Sequence, residues 1–245
     1  METLAALGGG AFVLVSLAIG LRLMLLAMRT GELPEFAVGG ALLLLGGVGY
    51  PAAALARGAP GLGVLPRVTL AAIGMACMVL GPSGIAVFNW KVFRADSPWT
   101  RRAVAFFALA LVAAFVWQAA TPGFLAAAEY RGNGIHALEL LTGAVLAWAS
   151  YESITYAVKM RRRVRVGLAD PLVADRVRLW AYAMLAAQLL NHLSIAAVAM
   201  GGDLVTWRYG GVVVFVLGLV AALSMWLAFL PPRAYRRYVA ARGAA

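Results

Sequence analysis

The sequence predicts an all-α polytopic membrane protein of seven transmembrane helices, N-terminus outside and C-terminus cytoplasmic. Three observations carry that prediction. The 245-residue chain is 63% hydrophobic and only 13% charged, where a soluble domain averages about 25% charged. A soluble fold of this length could not hide so much apolar surface. Seven apolar stretches also reach the roughly 20 residues that a bilayer core requires. Finally, the basic residues gather at the ends of those stretches, which is a topological pattern. The net charge of +11 therefore points to a membrane rather than to nucleic acid.

The predicted spans are 4–28, 36–56, 67–92, 98–121, 134–158, 172–200 and 207–230. The last is the cleanest, because Gly211 to Leu230 carries no charge. No soluble domain, long linker or internal repeat interrupts them, so residues 1–245 form a single membrane domain. Met1 and Glu2 stand where a signal peptide would have a basic region, and the first apolar stretch is too long for a signal core. No cleavable signal is expected. Cys77, the one cysteine, excludes an internal disulfide and sits inside the third span as a small core residue.

Charge chooses the orientation. Sixteen Lys and Arg residues fall on one side, from Arg29, the Lys91–Arg102 and Lys159–Arg178 segments, and Arg233–Arg242. Arg57, Arg67, Arg131 and Arg208 fall on the other. Positive residues stay inside, which puts the N-terminus out. Arg outnumbers Lys 19 to 2, a composition associated with GC-rich bacterial coding. The expected location is a bacterial inner (cytoplasmic) membrane.

The connections follow from turn chemistry. Ser97-Pro98 and Asp170-Pro171 each put a capping side chain before a proline at the first helical position. They predict helix starts at 98 and 171. The fifth span can run on through Arg161–Arg165 until Gly167 ends it. The fifth and sixth spans then form a hairpin projecting into the cytoplasm. On the outer side, Thr121-Pro122 predicts a short interfacial helix in FLAAAEYRG. Pro82 predicts a kink in the third span.

Polar residues supply the functional candidates. Gln188, Asn191 and His192 interrupt the otherwise apolar LAAQLLNHLSIAAV, and at about 100° per residue they share a third of the helix circumference. In the fifth span, His136, Glu139, Thr142, Gly143, Leu146, Ser150, Ser153 and Tyr156 line one stripe. Leu138, Leu140, Leu141, Val145 and Trp148 suit lipid or packing. At about 1.5 Å per residue, Glu139 and His192 differ by about 4–5 Å in depth. Successive antiparallel helices are usually neighbours, so an outer polar pocket is expected from Gln118, His136, Glu139, Gln188, Asn191, His192, Arg208 and Tyr209. Ionisable groups in a bilayer mark function. Asn, Gln and Ser also serve as interhelical glue, worth about 0.6 kcal/mol each, and for Gln188 or Asn191 alone that is the plainer reading.

Other chemistry is not expected. The GPSG of residues 81–84 resembles the GxSG around the serine of rhomboid intramembrane proteases, but the AHxxG-type helix of that family is missing. Close glycine packing accounts for it better. His136 and His192 differ in depth, which disfavours bis-histidine haem. With Glu139 they give three metal ligands at most. Haem or a metal at His136 and His192 stays the less favoured option, and binding is expected ahead of enzymatic activity.

The plan resembles the seven-helix receptor and rhodopsin architectures: N-terminus outside, a polar outer pocket and a basic hairpin inside. The resemblance is one of topology. GGVVVFVLGLVAALSMWLAFLPP has no lysine for a retinal Schiff base, FNWKVFRAD stands where Asp-Arg-Tyr would be, and Asn-Pro-x-x-Tyr is absent. It implies a receptor-like protein that binds a small ligand from outside. Arg161, Arg162, Arg163, Arg165, Arg176 and Arg178 of the inner hairpin would then contact anionic lipid or a cytoplasmic or membrane protein partner. Two alternatives stand beside it. One is a small proton-coupled transporter relaying protons through Glu139 and His192, although seven spans do not divide into inverted halves. The other is an accessory subunit of a larger membrane complex.

Overall fold

The computed structural model describes residues 2–59 and 61–243. Met1, named above for the signal-peptide reading, lies outside them, as does the side chain of Arg242. The described residues are mostly helical and contain no strand. In chain order they form α1 (Glu2–Thr30), α2 (Leu33–Leu42), a π-helical segment (Leu43–Gly49), α3 (Tyr50–Gly58), α4 (Val64–Phe93) and α5 (Pro98–Ala120). Next come α6 (Phe124–Ala128), α7 (Asn133–Arg165), α8 (Pro171–Ala199), a 3-10 turn (Leu204–Thr206), α9 (Gly210–Phe229) and α10 (Arg233–Gly243).

Six helical stretches are long and apolar enough to cross a membrane: Thr3–Thr30, Leu33–Gly58, Val64–Phe93, Pro98–Ala120, Pro171–Ala199 and Gly210–Phe229. They suggest an integral membrane protein. Each coincides with an expected span to within a few residues at either end. The remaining expected span, 134–158, lies within α7. At 33 residues and about 1.5 Å per residue, α7 is long enough to cross. Its His136, Glu139, Glu152 and basic last turns make it too polar to stand with the other six.

The chain divides into two compact units, one of residues 16–145 and one of residues 2–15 with 146–243. In the first unit the helices approach through small residues, as membrane helices do. A Cβ at Gly20 would lie 2.6 Å from Leu43 Cγ and 3.0 Å from the Gly39 carbonyl oxygen. In the GPSG stretch, a Cβ at Gly81 would lie 2.3 Å from Leu45 Cγ, and one at Gly84 2.7 Å from the Ala37 carbonyl oxygen. Ser83 Oγ donates back along its own helix to the Val79 carbonyl at 2.7 Å. These contacts make GPSG a packing element between α4 and α2.

The π-helical segment also has a local cause. Pro51 has no N–H, and its ring crowds the carbonyl four residues earlier. A widened turn before it relieves the crowding, and the Tyr50 N–H reaches the Leu45 carbonyl, five residues back. The core of this unit is Met75, Val79, Leu111, Ala114, Ala127, Ile135 and Leu138.

In the second unit, α8 and α9 form an antiparallel pair. Its core includes Ala5, Ala197, Leu204 and Val214, and the Trp180 and Phe229 rings meet edge to face at 5.7 Å. Gly8 lets α1 approach α9 so closely that a Cβ there would be 2.7 Å from Phe215 Cα.

The helix ends are mostly those expected. Asp170 caps α8, its Oδ1 accepting from the Leu172 N–H at 2.7 Å. After α7, Leu168 N–H bonds the Arg163 carbonyl (2.8 Å) and Gly167 N–H the Val164 carbonyl (3.0 Å), with Gly167 at φ +71. This is the left-handed close of a Schellman motif. The short helix after Thr121-Pro122 is present as α6. One expectation needs correcting. α5 starts at Pro98, but the Ser97 side chain makes no cap. Instead Thr100 Oγ1 donates to the Ser97 carbonyl at 2.7 Å and the Arg94 carbonyl at 3.1 Å.

Candidate functional site

The polar stripe of α7 lies on its buried face. Glu139, Thr142, Gly143, Leu146, Ser150 and Ser153 are all buried, and so are Leu138 and Val145 beside them, whereas Leu140 is 58% exposed. Leu138 and Val145 therefore pack in the core, and Leu140 faces outward.

In the unit of residues 16–145, a polar cluster forms around Glu139. Its carboxyl is buried and takes a side-chain hydrogen bond from Tyr130, with Arg57 close enough to act on it electrostatically. His136 Nδ1 lies 3.9 Å from Glu139 Oε2, one turn earlier on the same helix. The Arg57 guanidinium stacks over the Tyr130 ring, 4.6 Å from its centroid, a distance suited to cation–π attraction. Tyr130 is held at φ +55, in the left-handed region that a residue with a Cβ adopts at a cost. Arg131 pairs with Glu129, and Arg67 lies 3.9 Å from Glu129 while its Nε donates to the Ala56 carbonyl at 3.1 Å. One turn beyond Glu139, Thr142 Oγ1 is buried with no hydrogen-bond partner. A carboxylate, a guanidinium, a phenol and an imidazole thus converge where α3, the α6–α7 loop and α7 come together.

Gln118 serves a different purpose. It is fully buried. Its Nε2 donates to the Gly123 and Arg131 carbonyls, each at 3.0 Å, and its Oε1 accepts from the Ile135 N–H at 3.0 Å. Ile135 carries one of the first N–H groups of α7, which have no partner within the helix. Gln118 therefore caps α7 from another helix, and its amide is taken up by the loop it ties down. That loop in turn places Tyr130 beside Glu139.

In the unit of residues 2–15 with 146–243, the polar residues of α8 are spread out. Gln188 and Asn191 are half-buried and His192 is exposed. His192 Nδ1 lies 2.8 Å from the carbonyl oxygen of Gln188, on its own helix. Asn191 Oδ1 is buried without a hydrogen bond. Arg208 and Tyr209 are both exposed, the guanidinium 5.2 Å from the centroid of the neighbouring ring. Among the described residues, no group of His, Cys, Asp and Glu is arranged to hold a metal ion.

The basic hairpin acquires a wall that was not anticipated from the sequence. α10 packs against the start of α8, and Tyr235 Oη donates to Asp175 Oδ2 at 2.6 Å. Asp175 is buried and also takes Arg178. A groove of about 310 Å3 runs between α7 and α10, lined by Arg161, Arg165 and Arg178 together with Tyr238 and Val239. Arg162, Arg163 and Arg176 are exposed and do not line it.

Two signals for these arrangements were present but unused. In RAYRRYVAARG, Tyr235, Tyr238 and Val239 recur at helical spacing opposite the arginines, the mark of an amphipathic helix. The loop motif EYRGNG holds a tyrosine beside glycines, but nothing in it names Glu139 or Arg57 as neighbours. No family model, curated protein or solved structure matches this chain.

Proposed function

We propose that the chain is a seven-helix, receptor-like protein of a bacterial inner membrane that binds a small polar ligand at the Glu139 cluster. α7 is then the seventh span, with the N-terminus outside and the basic ends of α7, α8 and α10 in the cytoplasm. The bias of sixteen basic residues against four supports this orientation.

The observation that carries the reading is the buried Glu139 carboxyl, bonded by a left-handed Tyr130 over whose ring Arg57 lies. Burying a carboxylate costs several kcal/mol unless it is paired. A left-handed tyrosine adds about 1–3 kcal/mol. Structures keep such costs where a site is organised in advance. The mixed groups suit a small molecule with both a donor and an acceptor, and the partnerless Thr142 hydroxyl offers one further contact.

The test uses the full chain in nanodiscs, with amino acids, amines and small carboxylates as probes. Binding to the folded state raises stability by about 2.7 kcal/mol at roughly 100 times Kd, which appears as a rise in the unfolding temperature. Glu139→Gln keeps the shape but removes the charge, and should weaken affinity by roughly tenfold to a hundredfold. The same probe should show no uptake into proteoliposomes. Uptake abolished by Glu139→Gln would establish a carrier instead, and no stabilisation by any probe would end the reading.

A further inference from the structure

An open cleft of about 850 Å3 lies between the start of α8 and α10, lined by Asp170, Pro171, Leu172, Arg233, Arg236, Arg237 and Ala240. Three arginines and one carboxylate share that lining. That carboxylate is already engaged, since Asp170 Oδ1 caps the Leu172 N–H. Among the described residues, no acidic side chain forms an ion pair with Arg233, Arg236 or Arg237. With Asp170 as the one acidic residue in the lining, the cleft keeps an excess of two positive charges. Pro171 also lines the adjoining groove with Arg161, Arg165 and the paired Asp175 and Arg178, so Arg161 and Arg165 extend the positive charge along the α7 side. Arg178 adds a buried Nε that makes no hydrogen bond.

The position of α10 is held rather than loose. Tyr235 bonds the buried Asp175 of α8, and Val239 is buried against the same unit. With α10 held in this way, the exposed Arg233, Arg236 and Arg237 line the cleft together with the first residues of α8. Guanidinium forks match the oxygens of a phosphate and can bind it with paired hydrogen bonds. The volume far exceeds one inorganic phosphate, and Pro171, Leu172 and Ala240 make part of the lining apolar.

From this we propose that the α8–α10 cleft binds a phosphate group attached to a larger body, held by Arg233, Arg236 and Arg237. The chemistry is shared by a phospholipid headgroup and a soluble phosphate compound. The mixed lining and the place of α10, immediately after an apolar span, favour the lipid. This site is independent of the Glu139 cluster and stands or falls without it.

The full chain is reconstituted in phosphatidylcholine nanodiscs with and without phosphatidylglycerol, and lipid retained per chain is counted by native mass spectrometry. Pyrophosphate is titrated against the phosphatidylcholine form. Two charge-matched variants are compared, R233Q/R236Q/R237Q in the cleft and R162Q/R163Q/R176Q outside it. Phosphatidylglycerol retained by the unaltered chain and the outer variant, but bound roughly tenfold or more weakly by the cleft variant, supports a headgroup site. Pyrophosphate binding that only the cleft variant loses supports a soluble phosphate ligand. Equal losses in both variants would reveal a diffuse surface charge and overturn the proposal, as would no binding of either probe. Should the cleft variant fail to reconstitute, the three single Arg→Gln variants are read in its place.

Discussion

Tyr235 on α10 donates its hydroxyl proton to Asp175 on α8 across 2.6 Å, joining residues sixty positions apart. Asp175 is 8% exposed and also receives Arg178, so one buried carboxylate fixes both a neighbouring turn and a distant helix. This bond decides that the basic tail of the chain forms a wall of a cleft instead of trailing from the last span.

Removing the hydroxyl should release that wall. Tyr235→Phe leaves Asp175 short of a donor, at a cost of about 1–3 kcal/mol. Trypsin at neutral pH should cut after Arg233, Arg236 and Arg237 faster in the variant than in the unaltered chain. Unchanged cleavage would show that apolar packing alone holds α10.

The same bond has a pH signature. Partial burial and the adjacent Asp175 carboxylate push the Tyr235 hydroxyl up to about 12, from an ordinary value near 10. The docked state thus holds its proton more tightly than a free α10 would. Its contribution to docking is complete below about pH 10 and is lost as pH rises through about 12. Tyrosinate absorbance should show a late-titrating component that is missing from Tyr235→Phe. A titration with no such late component would contradict it.

Gln118→Leu tests the loop. The substitution keeps roughly the volume but removes the partner of the Gly123 and Arg131 carbonyls and of the Ile135 N–H, of which the buried Ile135 N–H costs about 1–3 kcal/mol if left unpaired. Hydrogen exchange should quicken in residues 121–135, and the unfolding temperature should fall. Because this loop carries Tyr130, ligand affinity at the Glu139 cluster should fall with it. An unaltered exchange rate would refute the capping role.

The two glycines around Pro82 should differ. At Gly84 an added Cβ meets the backbone oxygen of Ala37 at 2.7 Å, whereas at Gly81 it meets the side chain of Leu45 at 2.3 Å. A backbone cannot give way cheaply, but a leucine can turn. Gly84→Ala should therefore cost more than Gly81→Ala, about 1–3 kcal/mol of overpacking, measured by thermal unfolding of the reconstituted protein. Equal losses would mean that Leu45 is as firmly held as the backbone.

Much of the architecture was legible from local pattern. The six apolar stretches, the starts at Pro98 and Pro171, the Gly167 stop and the buried stripe of α7 each follow from periodicity or from one or two residues. Ser97 shows where such reading ends. It has the side chain of a cap, yet it accepts no helix N–H, and the choice lies in loop geometry. Gln118 was singled out as a polar residue in an apolar span, correctly as an oddity. Its role as a remote cap depends on Gly123, Arg131 and Ile135, which lie 5, 13 and 17 residues further on.

By itself the sequence determined which stretches are long and apolar enough to cross a membrane, how the backbone is divided into helices, and which faces carry polar groups, because hydrophobicity and turn chemistry act over a few residues at a time. Only the tertiary structure decided what those groups meet. Glu139 with Arg57, and Asp175 with Tyr235, are pairings between distant segments. Such pairings depend on how helices approach and rotate against one another, and small-residue contacts like those of Gly20 and Gly84 set that approach without leaving any sign of the partner in the local sequence.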